Sequence, residues 1–187
     1  MESIIKLTVE ALRNGKTILY PTDTIWGIGC DATNANAIEK IYTLKARDHS
    51  KSMLILCNNE TMLRNYVPNI DPKALDIALN NERPTTVIFP QASQLPTNLL
   101  AADGSIGVRL PNMDFCQQVL LEFGKPIVST SANLSGEPSP KCYDEISPLL
   151  KSKVDYCVPN LDSFKGNGTS SKIVKIANDG TIIILRP

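Results

Sequence analysis

Short apolar runs alternate with helical stretches over the first two thirds of this chain, and this alternation most limits the folds open to it. Residues 17–20, 53–57 and 85–89 have the length and the aliphatic or β-branched content of buried strands. The stretches between them repeat apolar residues at helical spacing. Strands separated by helices predict an α/β fold, with helices packed on a mixed parallel and antiparallel sheet.

The same patterns assign an element to most of the chain. Residues 90–105 contain two prolines and little periodicity, which predicts a long surface loop. Asn36 and Glu39 have the spacing of a helix cap. Two strands at 173–177 and 181–185 form a hairpin around Asn178, Asp179 and Gly180. We expect helices at 2–14, 60–66, 72–80 and 115–123, and a further helix that ends near residue 45. Further strands are expected at 26–30, 106–110, 127–130 and 154–158. No internal repeat or linker is visible, which predicts a single domain over residues 1–187.

Charge and cysteine content exclude several classes of protein. The 19 basic and 19 acidic residues cancel, which argues against broad, nonspecific binding to nucleic acid or to a membrane surface. None of the five cysteines forms a CxxC pair, so neither a disulfide framework nor a zinc site is expected. The first residues lack a signal-peptide pattern, and no apolar stretch reaches the roughly 18 residues of a membrane span. A reduced, cytoplasmic setting is the simplest interpretation.

Three polar segments follow apolar runs directly, at 20–24, 45–47 and 129–133. Their hydroxyls and two cations are typical of a site for a phosphate-bearing ligand. Each also has a plain structural explanation, since basic residues complement the C-terminal end of a helix and Ser, Thr and Asn favour turns. Lys45 and Arg47 lie roughly 200° apart on a helix, so they converge only if the helix ends there and the chain turns.

Other catalytic patterns are missing or ambiguous. The chain has no P-loop sequence and no GxGxxG after a strand. His49, the single histidine, is expected in a polar surface turn. Asp23 is the best-placed acid, and it either binds a metal or caps a turn. The hydroxyl-rich stretch 166–171 either closes over a ligand or only connects two elements.

Several sequence blocks follow one another along nearly the whole chain: 20–28, Lys45-Ala46-Arg47 with Ser131-Ala132-Asn133, 107–111, Ser135-Gly136 with Pro138 and Ser139, 171–174 and 185–187. Together they resemble the YrdC family of threonylcarbamoyl-AMP synthases. Two departures stand out: Asp48 occupies a position where the family usually has proline, and Trp26 stands where tyrosine is common.

The resemblance implies a fold and an activity. The fold is a YrdC-like twisted sheet of parallel and antiparallel strands, with a concave basic face. The enzyme is a nucleotidyltransferase that joins L-threonine, bicarbonate or carbon dioxide, and ATP into threonylcarbamoyl-AMP and pyrophosphate. A downstream transferase complex then modifies an adenosine in tRNA. Mg²⁺ accompanies ATP, and no metal-binding residue of the protein is implied.

The resemblance also implies roles for particular residues. Lys45 and Arg47 are expected to be catalytic, facing the phosphates. Thr24, Arg109, Ser129 and Ser171 are expected to bind L-threonine or its carbamate. Arg47, Lys51, Ser131, Asn133, Ser139 and Arg186 are expected to bind the nucleotide.

Two other hypotheses remain open at this point. The first is a non-catalytic RNA-binding module, which would depend on phosphate contacts and on aromatic residues that stack on bases. The ten aromatic residues are scattered along the chain, which disfavours it. The second is a paralogous enzyme on the same fold with a different substrate, which a change of amino-acid substrate would reveal.

Overall fold

The structure is a computed structural model that describes residues 1–177 and 179–187. Within these residues the chain forms a nine-stranded sheet, with helices between the strands. The α-helices are α1 (Glu2–Arg13), α2 (Ala35–Lys45), α3 (Glu60–Tyr66), α4 (Pro72–Leu79), α5 (Asp114–Phe123) and α6 (Pro148–Lys153). The strands are β1 (Ile18–Tyr20), β2 (Gly27–Gly29), β3 (Leu54–Leu56), β4 (Thr85–Phe89), β5 (Ile106–Arg109), β6 (Ile127–Ser131), β7 (Tyr156–Cys157), β8 (Lys172–Ile176) and β9 (Ile182–Arg186).

Parallel and antiparallel neighbours are mixed in this sheet, as the sequence pattern predicts. The strand order is β7-β1-β2-β6-β3-β5-β4-β8-β9. The pairs β1/β7, β3/β5 and β4/β8 are parallel, and the other neighbours are antiparallel. The α/β class is therefore confirmed, whereas the concave basic face stays a prediction.

Strands at the centre of the sheet supply much of the core. Leu19, Ile28, Ile55 and Val128 come from four different strands, and all are fully buried. Burying an aliphatic side chain of this size contributes about 1.5–3 kcal/mol to folding. The core thus holds the central strands in register. It thereby also fixes the positions of the residues at the ends of these strands.

Local capping explains where α2 and α4 begin, with one correction to the expected cap of α2. Asn34, rather than Asn36, is the N-cap: its Oδ1 accepts a hydrogen bond from the backbone N–H of Ala37 at 3.1 Å. Asp71 caps α4, where Pro72 occupies the first turn and needs no N–H partner. Among the described residues, no helix is both long and apolar enough to cross a membrane.

The structure corrects the expected elements at two further places and confirms the terminal hairpin. The expected loop 90–105 contains a single 3₁₀ turn, Thr97–Leu99, which buries Leu99. The strand expected at 154–158 is only β7, and α6, which the periodicity did not indicate, precedes it. The terminal hairpin is confirmed as β8 and β9, although Asn178 in its turn lies outside the described residues.

Candidate functional site

A cavity of about 260 Å³ lies over one face of the central strands. Side chains two residues apart in a strand share a face, and the cavity floor follows this rule in β5 (Gly107 and Arg109) and in β6 (Ser129 and Ser131). Leu54 of β3 is the cross-strand partner of both Gly107 and Ser129, so this part of the floor is continuous. The described residues that line the cavity are Thr22, Thr24, Ile25, Trp26, Gly27, Arg47, Ser52, Met53, Leu54, Thr86, Ile88, Gly107, Arg109, Ser129, Thr130, Ser131, Ser139, Ser170, Ser171, Ile173 and Arg186.

Gly107 lets neighbouring side chains pack closely at this floor. A Cβ at this position would lie 3.2–3.3 Å from side-chain atoms of Thr86, Ile88 and Leu54, which is tighter than ordinary contact. Glycine therefore allows these three side chains to lie close to the strand without crowding. Thr86 belongs to no sequence motif, so the sequence analysis did not identify it, whereas Gly107 stands in the block 107–111.

Arg109, the last residue of β5, forms a buried ion pair with Asp23. Its Nη1 donates to Oδ1 of Asp23, and its Nη2 lies 3.4 Å from Oγ1 of Thr24. The two charged side chains are only 3% and 8% exposed. Nε of Arg109 is buried and has no partner among the described residues. One edge of the guanidinium is therefore held by protein, and a buried donor is left unpaired.

The loop before β8 packs closely on the segment that contains Thr22 and Thr24. The backbone N–H of Asn167 donates to the carbonyl of Asp23 at 3.1 Å, and that of Gly168 donates to Thr24 at 3.0 Å. A Cβ on Gly166 would lie 2.2 Å from the carbonyl oxygen of Thr24, so only glycine permits this approach. Two loops distant in sequence therefore form one wall of the cavity.

A second arginine reaches the cavity from the edge strand β9. Nε of Arg186 donates to the carbonyl of Ser171 at 2.8 Å, and its Nη2 donates to Oγ of the same residue at 3.2 Å. The Ser171 hydroxyl also lies 2.8 Å from Oγ1 of Thr86. Burial, and then the nearby Arg109, lower the pKa of the Arg186 guanidinium. Two cations thus lie close together at this end of the cavity, a suitable arrangement for a carboxylate or a phosphate.

The third arginine of the cavity, Arg47, comes from the turn after α2. Its Nε donates to the carbonyl of Lys51 at 2.7 Å, and its Nη2 donates to that of Ser52 at 2.8 Å. Nη1 has no hydrogen-bond partner within the described part of the chain. Burial lowers the pKa of this guanidinium. Asp48, the residue that departs from the usual proline, accepts a hydrogen bond from the backbone N–H of Ser50 and so stabilises the turn.

Lys45, by contrast, is held behind the cavity wall by the segment after β6. Its Nζ donates to the backbone carbonyls of Ser131 and Asn133, both at 2.5 Å. The side chain of Asn133 lies 3.3 Å away as a third acceptor. Burial, and then the charge of Arg47, lower the pKa of Lys45 to about 7.

Eight of the eleven predicted site residues come together at the cavity. They are Thr24, Arg47, Arg109, Ser129, Ser131, Ser139, Ser171 and Arg186. Lys45, Lys51 and Asn133 are not among the lining residues: Lys51 is exposed, and Lys45 is 1% exposed beneath the wall. The individual roles of all eleven remain predictions.

The remaining polar residues that the sequence singled out stabilise the structure around the site. His49 stacks on Tyr42 with ring centroids 4.3 Å apart, and its Nε2 lies 3.2 Å from Oε1 of Glu39. Trp26 contacts Tyr143 edge to face at 4.8 Å. Asp23, which we expected to hold a metal or cap a turn, instead pairs with Arg109.

The fold and site define an α/β protein with a cavity lined by three arginines on one face of a mixed sheet. Comparison with known proteins then identifies the family. The model for Sua5, YciO and YrdC proteins, described as "Telomere recombination", matches residues 10–187. The threonylcarbamoyl-AMP synthase of Pseudoalteromonas translucida is 32% identical over 184 residues, covering 97% of each chain. This chain belongs to the Sua5/YciO/YrdC family.

Solved structures share the fold. E. coli YciO has a TM-score of 0.78 at 26% identity, with 100% of this chain and 89% of YciO covered. P. abyssi Sua5 in complex with L-threonine has a TM-score of 0.86 at 23% identity, with 98% of this chain covered. This chain spans only 53% of that Sua5 chain, about half of its length.

Proposed function

We propose that this protein is an L-threonylcarbamoyladenylate synthase. It forms threonylcarbamoyl-AMP and pyrophosphate from L-threonine, bicarbonate or carbon dioxide, and ATP. The observation that carries the proposal is a cavity lined by three arginines and several hydroxyl side chains. The chain that contains it is 32% identical to a threonylcarbamoyl-AMP synthase over nearly its full length. Cations and hydroxyls without a strong general base suit a reaction that mainly requires charge neutralisation and alignment.

The reaction consists of two bond-forming steps. The uncharged amine of threonine attacks carbon dioxide, forms a C–N bond and releases a proton, which leaves an anionic carbamate. A carbamate oxygen then attacks the α-phosphate of ATP, and pyrophosphate leaves as the bond between the α- and β-phosphates breaks. Because the nucleophile is already anionic, the second step needs alignment and stabilisation of phosphate charge rather than proton removal.

We propose that Arg109 holds the threonine carboxylate, and that Arg186, which the resemblance assigns to the nucleotide, lies close enough to Arg109 to assist it. Asp23 occupies only Nη1 of Arg109, so the buried, unpaired Nε and the Nη2 group can face an incoming carboxylate. Arg186 supplies a second charge beside it and orients the Ser171 hydroxyl. Thr24 and Ser129 line the same cavity and complete the polar surroundings of the amino acid.

Arg47 is proposed to face the phosphates. Two of its nitrogens are held by the carbonyls of Lys51 and Ser52, so the side chain is oriented before a ligand arrives. Because the cation is already oriented, little reorganisation is needed when the ligand binds, and the cation stabilises the charge that develops on the α-phosphate. Ser131, at the end of β6, and Ser139, in the loop after it, are proposed to contact the nucleotide.

Mg²⁺ is proposed to enter with ATP. Among the described residues, no cluster of three His, Cys, Asp or Glu side chains has a geometry that could hold a metal ion. Phosphate oxygens and water are ligands that Mg²⁺ prefers, and they satisfy its octahedral geometry. We also propose that tRNA and a transferase complex use the product, and that the protein works in the cytoplasm.

Pyrophosphate release from ATP and bicarbonate, with and without L-threonine, tests the proposal. Threonine-dependent release with an AMP adduct of the expected mass is the supporting result. Release that is equal with serine or other amino acids would indicate a paralogous enzyme. Folded protein that binds tRNA with steep salt dependence but does not bind ATP would overturn the proposal in favour of RNA binding.

A further inference from the structure

The ammonium of Lys45 has no proton left over for a ligand. A lysine ammonium carries three N–H donors, and three acceptors surround this one: the carbonyls of Ser131 and Asn133 at 2.5 Å and Oδ1 of Asn133 at 3.3 Å. The side chain is 1% exposed and is not part of the cavity lining. In the described part of the chain, no carboxylate lies within ion-pair distance of it.

The segment after β6 wraps around this lysine. The backbone N–H of Ser135 donates to the carbonyl of Lys45 at 2.9 Å, so both ends of the residue are bound by the same segment. Oγ of Ser131 donates to Oδ1 of Asn133 at 2.5 Å, and Nδ2 of Asn133 donates to the carbonyl of Glu137 at 2.6 Å. The only member of this network that reaches the cavity is Ser131.

The backbone separates Lys45 from Arg47. Helix α2 ends at Lys45, and Ala46 takes up a left-handed conformation with φ 48° and ψ 44°. The turn places the two cations in different surroundings: the Arg47 side chain lines the cavity, and the Lys45 side chain lies beneath the segment after β6. The charge facing the cavity from this part of the chain is therefore that of Arg47.

We propose that Lys45 is a positioning residue, which holds the Ser131–Asn133 segment against the cavity and does not contact the phosphates. This inference rests on the proposed function for its choice of ligand. The ammonium is the hydrogen-bond partner of two part-buried carbonyls, and leaving them unpaired is costly. Without it the segment relaxes, and Ser131 loses its fixed place at the wall. The effect on the nucleotide is thus indirect.

Binding of two probes separates this role from direct phosphate binding. The affinity for inorganic tripolyphosphate depends on the cations that face the phosphates. The affinity for AMP depends on these cations and also on the cavity wall that contains Ser131. For Lys45→Met we expect tripolyphosphate affinity within about threefold of wild type, and AMP affinity at least about tenfold weaker. Arg47→Ala should weaken both. Lys45→Gln, which keeps two N–H donors without the charge, should restore part of the AMP affinity.

A double-mutant cycle adds a second test. If Lys45 acts through Ser131, the losses of AMP affinity in Lys45→Met and Ser131→Ala should not add in the double variant. A loss of tripolyphosphate affinity in Lys45→Met as large as in Arg47→Ala would overturn the inference. Additive losses of AMP affinity would overturn it as well.

Hydrogen exchange decides the inference even if the proposed function fails. If wild-type protein releases no pyrophosphate and binds neither probe, the proposed reaction is wrong. The amides of Ala132 and Ser135 should still exchange faster in Lys45→Met than in Arg47→Ala, because only the first variant loosens the segment. Equal exchange in the two variants would show that Lys45 does not position it.

Discussion

Asp23 accepts a hydrogen bond from Arg109 although 86 residues separate them in the chain. Oδ2 of the same carboxylate accepts the backbone N–H of Asn112 at 3.1 Å, so the aspartate joins two loops as well as pairing with the arginine. Both charges are almost completely buried, and breaking such a pair from one side leaves an uncompensated charge. The position of the Arg109 guanidinium over the cavity therefore depends on Asp23.

Asp23→Asn should impair the use of threonine more than the use of ATP. The amide keeps the shape but removes the charge opposite Arg109, so the guanidinium is less firmly oriented toward a carboxylate. We expect threonine-dependent turnover to fall at least about tenfold, and the free energy of unfolding to fall by about 3–5 kcal/mol. Steady-state kinetics and urea denaturation measure the two effects. If the dependence of turnover on threonine is unchanged, Asp23 has no role at the site.

Arg47→Ala should abolish most synthesis while the fold stays intact. A hydrogen bond to a charged group contributes about 1.5–3 kcal/mol, so we expect a loss of roughly tenfold to hundredfold in pyrophosphate release. Arg64→Ala is the matched control, because that arginine is exposed on α3 and pairs with Glu60 of the same helix. Equal activity of the two variants, with wild-type circular dichroism, would contradict a role of Arg47 at the phosphates.

Gly166→Ala should separate the two loops that form one wall of the cavity. The new Cβ would lie 2.2 Å from the carbonyl oxygen of Thr24, and backbone atoms cannot yield as a flexible side chain can. We expect the KM for threonine to rise about tenfold or more, an effect of about 1.4 kcal/mol. Lys165→Ala, an exposed change in the same loop, should have no such effect. A normal KM in Gly166→Ala would show that the wall tolerates the displacement.

Ala46→Gly should stabilise the protein slightly. Ala46 has a positive φ of 48°, where a Cβ costs roughly 1–2 kcal/mol. Glycine removes this strain but loses more backbone entropy on folding, so we expect a net gain of up to about 1 kcal/mol. Gly124→Ala is the reciprocal control. Gly124 ends α5 with φ 76°, so adding a Cβ there should destabilise the protein. Chemical denaturation compares the variants, and a destabilised Ala46→Gly would contradict the assignment of strain.

The affinity for AMP should weaken as the pH rises through about 7. Burial lowers the pKa of Lys45 to about 7, so the ammonium is present below this pH and is lost above it. The neutral amine has two protons for three acceptors, and the Ser131 segment is then held less firmly. Arg47 and Glu137 are the charged groups that act on Lys45, in opposite directions. Calorimetric titrations from pH 6 to 9 should show this step in wild type and not in Lys45→Met.

Local sequence patterns identified most strands and helices because these depend on near neighbours. The apolar runs predicted strands at 106–110 and 127–130, and the structure confirms them as β5 and β6. Helix α6 was missed because its six residues are too few to show a periodicity. The cap of α2 was misplaced by two residues because Asn34 and Asn36 are both suitable capping residues.

The chain order and residue types by themselves determined the α/β class, the polar segments and the residues available for an anion site. Only the tertiary structure decided their partners. Arg109 pairs with Asp23 and Lys45 bonds to Ser131, each across 86 residues, because the sheet brings distant strand ends together. Spacing along the chain cannot predict such contacts, since they depend on strand order and on the left-handed turn at Ala46 that separates Lys45 from Arg47.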